Sequence, residues 1–198
     1  MRVVTLQNDD FKKTCEDLSS VIKSDFIPDV IVGILTGGGY VGREVSKDMS
    51  ILATPLYTEI RIQRKDTKKK GKGVLHKILQ ILPYFILNWL RMAEMLYEDI
   101  KGKKIDPKRE GTISFSEEVS TYLQSGIRNV LIVDDAIDTG ATLKMVKDFI
   151  LEKFPCSNVK IAVITVTGNH PLIDADYCLF HNRTLVRFPW SNDFKKEE

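Results

Sequence analysis

Four apolar, mostly β-branched residues, Val130 to Val133, run straight into two adjacent acids, Asp134 and Asp135, and no other feature constrains the fold as tightly. An unbroken apolar run of this kind reads as a strand buried on both faces, the pattern of a parallel sheet covered by helices on each side. Acids at the carboxyl end of such a strand stand where open α/β sheets bind ligands. Asp29 to Leu35 and Val159 to Val166 repeat the buried-strand pattern. The expected class is therefore α/β, a parallel sheet core with helices on both faces.

The loop after the acids is equally specific. Asp138-Thr139-Gly140-Ala141-Thr142 leads into an apolar-periodic helix through Leu143, Val146, Ile150 and Leu151. Small residues let a ligand approach the backbone, the first N–H groups of a helix have no internal partner, and Thr139 and Thr142 add hydroxyls, so the loop suits a phosphate. Asp134 and Asp135 would repel that phosphate but suit hydroxyl groups or a cation. A ribose 5-phosphate satisfies both halves.

The stretch from Val130 to Thr142 resembles the signature of the type I phosphoribosyltransferases, which bind phosphoribosyl pyrophosphate (PRPP): four apolar residues, two acids, two apolar residues and a Thr/Gly-rich loop. The resemblance implies that Asp134 and Asp135 hold the ribose hydroxyls and that Asp138, Thr139, Gly140, Ala141 and Thr142 hold the 5-phosphate. Asp138 is the candidate catalytic base. The glycine loop Thr36-Gly37-Gly38 is expected to bind pyrophosphate, with Thr36-Gly37 the candidate bond for the strained cis peptide common in the family. Mg²⁺ is the implied cofactor, held mainly by PRPP, with Asp134 and Asp135 its candidate protein ligands. His170 to Tyr177 and Phe188-Pro189-Trp190 resemble the compact xanthine-guanine branch, which makes Leu185, Val186 and Trp190 the candidate nucleobase residues. The chain departs from that branch in two ways: no Lys precedes His170, and Leu185 aligns where an aromatic residue stacks on the base. A purine acceptor in nucleotide salvage is the favoured reading. A PRPP-binding regulator without transfer activity is the alternative.

A third reading comes from Gly37, Gly39 and Gly42, whose spacing satisfies the dinucleotide fingerprint, with Glu59 downstream as the ribose acid. A lone fingerprint is weak. The acids and phosphate loop downstream supply the other half of PRPP and favour the transferase.

At 198 residues the chain fits one domain, with core about 28–62 and 111–166, a basic loop and helical insertion about 63–110, and a hood about 1–27 and 167–198 from both chain ends. A short strand at Val3 to Leu6 precedes a helix with Phe11, Leu18, Val21 and Ile22 inward, ended by Pro28; a helix from about Arg43 to Met49 and a strand at Thr112 to Phe115 are also expected. Arg64 to Gly73 reads as a mobile lid. Val74 to Leu82 and then Phe85, Ile86, Trp89, Leu90, Ala93 and Leu96 form apolar helical stripes. Lys77, Gln80, Asn88 and Arg91 interrupt them too often for a span of about 20 apolar residues. The stripe around Trp89 is expected to meet a second copy of the chain. The net charge of +2 and the three scattered cysteines give no sign of nucleic-acid, disulfide or metal chemistry. A cytoplasmic homo-oligomer acting on PRPP and a nucleobase is expected, with no nucleic-acid partner and no membrane insertion.

Overall fold

The structure is a computed structural model and describes residues 2–51, 53–62, 79, 82–101, 113–126, 128–154 and 158–195, with the side chains of 98–101 left out. The elements in chain order are β1 (Val3–Thr5), α1 (Asn8–Lys23), β2 (Val30–Ile34), α2 (Gly37–Met49), β3 (Leu56–Ile60), α3 (Tyr84–Lys101), α4 (Glu117–Gln124), β4 (Asn129–Ile137), α5 (Ala141–Lys153), β5 (Asn158–Val166), β6 (Tyr177–Phe180) and β7 (Leu185–Arg187).

Five parallel strands form the central sheet in the order β3-β2-β4-β5-β6. Alternate residues of β4 serve opposite faces, as strand geometry requires. Leu131 and Val133 pack with Phe11, Leu18 and Ile22 of α1 and Val41 and Val45 of α2. Val130 and Ile132 pack with Val119 and Leu123 of α4 and Leu143, Val146 and Ile150 of α5. This double burial is why the strand reads as a continuous apolar run. Truncating a residue such as Ile132 to Ala would cost about 2–5 kcal/mol through lost burial and the cavity left behind.

A second sheet of two strands pairs β1 with β7 in parallel, Val3 opposite Leu185 and Thr5 opposite Arg187, so the two ends of the chain build the hood together. Ser116 caps α4 by accepting a hydrogen bond from the Val119 N–H at 3.3 Å.

Several local expectations are corrected. The helix after β2 begins at Gly37 rather than near Arg43, so the glycines form its first turn. Glycine's entropic cost in a helix is accepted there because the turn passes too close to β4 for a side chain. The cis peptide is Leu35–Thr36, one bond before the one expected. Val21 and Leu151 face outward on α1 and α5, at 43% and 40% exposure. α1 ends at Lys23, with Pro28 well beyond it. Residues 113–116 form no strand. The expected lid from Arg64 to Gly73 and nearly all of the stripe from Val74 to Leu82 lie outside the described residues.

The apolar stripe on α3 that is expected to meet a second copy of the chain largely faces outward. Phe85, Trp89 and Leu96 are 72%, 68% and 53% exposed, whereas Leu87 and Met95 are buried. Polar contacts set this rotation: Tyr84, Asn88 and Arg91 all reach hood residues, and burying their groups requires those partners.

Candidate active site

The two acids lie within β4, at the point where its neighbour β2 ends. Pairing with β2 stops at Val133, while pairing with β5 continues past Asp134 to Ile137. β2 instead turns at Thr36 into α2, whose first turn crosses over the acids. A Cβ on Gly37 would sit 1.9 Å from Asp135 Oδ2, and one on Gly38 would sit 2.5 Å from the Val133 carbonyl oxygen. Only glycine permits that approach.

The Gly38 N–H donates to the Asp134 carboxylate, and the Asp135 N–H donates to Asp134 Oδ1 at 2.9 Å. Burial raises the Asp134 carboxyl well above its ordinary range, and the charge of Asp135 adds to this. Burial also raises Asp135, partly offset by the Trp190 indole N–H, which donates to Asp135 Oδ2 at 3.1 Å. Two crowded carboxyls of this kind are short of positive charge and of hydrogen-bond donors. Ribose hydroxyls or a cation would supply what the pair lacks.

On the other side of β4, Gly140 adopts φ +72° and caps the start of α5. The loop is held from two directions. The Thr139 hydroxyl accepts from the Ala141 N–H at 3.4 Å, and the Leu172 N–H donates to the Thr139 carbonyl at 2.9 Å. Gly168 passes so close to Asp138 that a Cβ there would meet the Asp138 carbonyl oxygen at 1.9 Å. Leu172 and Ile173 lie over Gly140, so the His170-Pro171-Leu172-Ile173 segment supports the Asp138–Thr142 loop.

Beyond Asp138 opens a cavity of about 640 Å³ lined by Leu87, Arg91, Met95, Thr167, Leu185 and Trp190, among others. One wall comes from α3. That helix is fixed to the hood by an ion-paired triad. Arg91 donates to both carboxylate oxygens of Asp193, and Arg187 Nε donates to Asp193 Oδ2 at 2.9 Å. Arg187 has no exposed surface and also donates to Thr5 Oγ1 and Asn88 Oδ1. Burial alone would raise the Asp193 carboxyl, but Arg91 and Arg187 outweigh it and hold the group below its ordinary range.

The structure thus gathers Thr36, Gly37, Gly38, Asp134 and Asp135 at one end of the cleft. Asp138, Thr139, Gly140, Ala141 and Thr142 form the loop beside it, and Asp138 and Leu185 line the cavity. Val186 does not join them: its side chain is in the core beneath β7. Trp190 lines the cavity, and its ring is stacked against Phe188 at 4.8 Å and Tyr40 at 4.9 Å, aromatic partners with which a base would have to compete. Glu59, the acid that the dinucleotide reading needs, is paired with Arg43 and hydrogen-bonded to the Tyr57 hydroxyl at 2.8 Å. Sequence reasoning does not single out Arg91 and Asp193. The only signal is that Arg91 breaks an apolar stripe.

The parallel sheet thus carries paired acids in β4 beside the end of β2, with a glycine turn crossing over them and a small-residue loop at the start of α5 next to them. Residues 5–193 match the model of the phosphoribosyl transferase domain, and the chain belongs to that family, the PRPP-dependent phosphoribosyltransferases. Solved structures share the fold. A purine phosphoribosyltransferase from Pyrococcus horikoshii superposes with a TM-score of 0.60 at 21% identity, covering 100% of this chain and 99% of that one. The Helicobacter pylori xanthine-guanine-hypoxanthine phosphoribosyltransferase gives 0.56 at 13% identity, covering 96% and 93%. A Staphylococcus aureus hypoxanthine phosphoribosyltransferase gives 0.56 at 17% identity, covering 89% and 75%. No curated protein matches the chain in sequence.

Proposed function

We propose that the chain transfers 5-phosphoribose from PRPP to a purine base and releases pyrophosphate, in cytoplasmic nucleotide salvage. The observation that carries this reading is the meeting of the Asp134–Asp135 pair with the Gly37–Gly38 turn on one side and the Asp138–Thr142 loop on the other. The three pieces match the diol, the pyrophosphate and the 5-phosphate of a single ligand. The purine acceptor is supported by the fold likeness to enzymes described as acting on purines, and by the cavity beyond Asp138.

In this reading the first N–H groups of α2 hold the pyrophosphate, and those of α5, with Thr139 and Thr142, hold the 5-phosphate. Asp134 and Asp135 accept hydrogen bonds from the ribose hydroxyls and fix the ring. Bond breaking leaves positive charge on the ribose, and the nearby carboxylates stabilise it where it develops. Asp138 accepts the ring proton of the base, a role that contributes about 10²–10⁴-fold in comparable enzymes. Leu185 and α3 shape the base pocket. Mg²⁺ suits this arrangement, because Mg²⁺ is commonly held by one or two carboxylates together with substrate phosphates. Asp134 and Asp135 would face it, and the bound ion would offset the charge of the departing pyrophosphate.

A pyrophosphate-release assay with PRPP, Mg²⁺ and a panel of adenine, guanine, hypoxanthine, xanthine and pyrimidines tests the reading. Turnover with one or more purines is expected. PRPP binding without turnover on any base would favour a regulator, and turnover on pyrimidines alone would remove the purine assignment.

A further inference from the structure

Trp190 is one of only two tryptophans in the chain, and its place is unusual for a hood residue. Its indole N–H reaches across to Asp135 Oδ2 at 3.1 Å. The ring itself has little freedom. Phe188 stacks on one side at 4.8 Å with planes 5° apart, and Tyr40 stacks at 4.9 Å with planes 27° apart. Phe11 meets it edge-on at 5.2 Å. Offset and edge-on aromatic pairs of this kind each contribute beyond simple burial. The rings come from three places: Phe11 from α1, Tyr40 from the first turns of α2, and Phe188 and Trp190 from the chain following β7.

The same carboxylate oxygen lies against the start of α2: a Cβ on Gly37 would fall 1.9 Å from Asp135 Oδ2, so the oxygen occupies space that only glycine leaves open. The oxygen lies between the turn proposed to hold pyrophosphate and a ring stack anchored in the hood.

We propose that Trp190 is a positioning residue for Asp135: its indole N–H, held rigid by the Phe188–Tyr40–Phe11 stack, fixes one carboxylate oxygen and leaves the other for the ribose. Because Tyr40 belongs to α2, the stack also ties the orientation of Asp135 to the pyrophosphate turn. A carboxylate with both oxygens free would lose rotamer freedom on binding, whereas one already fixed has less to lose. The inference rests on the reading of Asp135 as a ribose-holding residue, and the test separates the two.

The measurement is calorimetric titration of the full chain with PRPP and Mg²⁺, on wild type, Trp190→Phe, Asp135→Ala and the double variant. Phe keeps an aromatic ring in the stack and removes only the N–H donor and the second ring. Loss of a hydrogen bond to a charged group corresponds to about a tenfold weakening of PRPP binding in Trp190→Phe. The double variant should bind no more weakly than Asp135→Ala, because the two residues act as one unit. A merely structural tryptophan would instead give losses that add. Wild-type affinity in Trp190→Phe, or additive losses, overturns the inference while leaving the ribose reading intact. Wild-type affinity in Asp135→Ala overturns the ribose reading, and the inference falls with it. A second measurement keeps Trp190 native. In a Trp89→Phe background Trp190 is the sole indole, and Trp89 is an exposed residue of α3. Adding Asp135→Ala should shift the Trp190 emission; an unchanged spectrum overturns the contact on which the inference depends.

Discussion

At the scale of single residues, the site trades stability for charge. Asp134 is crowded by Asp135 and raised by burial, so its ionised form costs folding free energy at neutral pH. Asp134→Asn keeps an oxygen to accept from Gly38 and Asp135 and removes the charge. It is expected to raise the unfolding midpoint of the ligand-free protein, by about 1 kcal/mol or more in stability, while abolishing PRPP turnover. A lower midpoint in thermal denaturation would contradict the crowding described here. Gly140 makes the opposite case. At φ +72° and with Ile173 Cγ2 3.1 Å from a would-be Cβ, Gly140→Ala should destabilise the fold by about 1–2 kcal/mol as well as weaken PRPP binding. The cover of Leu172 and Ile173 over this loop, some thirty residues on, is invisible in the sequence. By contrast, the adjacency of Asp134, Asp135 and the Thr/Gly loop is legible, because a parallel strand, a tight turn and a helix start are all local in sequence.

At the scale of elements, α3 shows what periodicity alone leaves open. Its apolar residues outnumber what one face needs, so the stripe does not identify the inward side. The polar exceptions do: Asn88 and Arg91 face the hood, where Arg187 and Asp193 await them. Those partners lie some hundred residues away, which is why the sequence alone could not pair them. Asp193→Asn would leave Arg187, which has no exposed surface, without its counter-charge, and should cost about 3–5 kcal/mol in urea unfolding. A pH dependence arises from the lowered Asp193 carboxyl. A group depressed in the folded state stabilises above its unfolded value, near 3.9, and that stabilisation is lost as pH falls through the folded value. Wild type should therefore lose stability between roughly pH 5 and the acid limit more steeply than Asp193→Asn does. Parallel acid limbs in the two proteins would show that the triad contributes nothing through ionisation. Because α3 walls the cavity, the same variant should weaken purine binding more than PRPP binding, as read by separate titrations.

At the scale of the whole molecule, the sheet order, the two covered faces and the hood from both chain ends arise from a few runs of apolar residues and their connections. Strands buried twice announce themselves; the edge strand β3, half-buried throughout most of its length, and the three-residue strands of the hood do so weakly. No helix among the described residues is long and apolar enough to cross a membrane. We propose the outward stripe of Phe85, Trp89 and Leu96 as a face for a second copy, since like stripes on two copies can pair about a two-fold axis. Replacing Trp89 and Leu96 with Glu should yield a monomer by light scattering with PRPP affinity retained; an unchanged assembly state would place the contact elsewhere. The central claim, however, is that the cleft formed by α2, β4 and α5 is a PRPP site and not a dinucleotide site. Calorimetric titration of the ligand-free protein with PRPP and Mg²⁺, and separately with NADH, decides it most directly. One PRPP bound per chain, with no heat from NADH, is the result the structure predicts; tight NADH binding with no response to PRPP would contradict it.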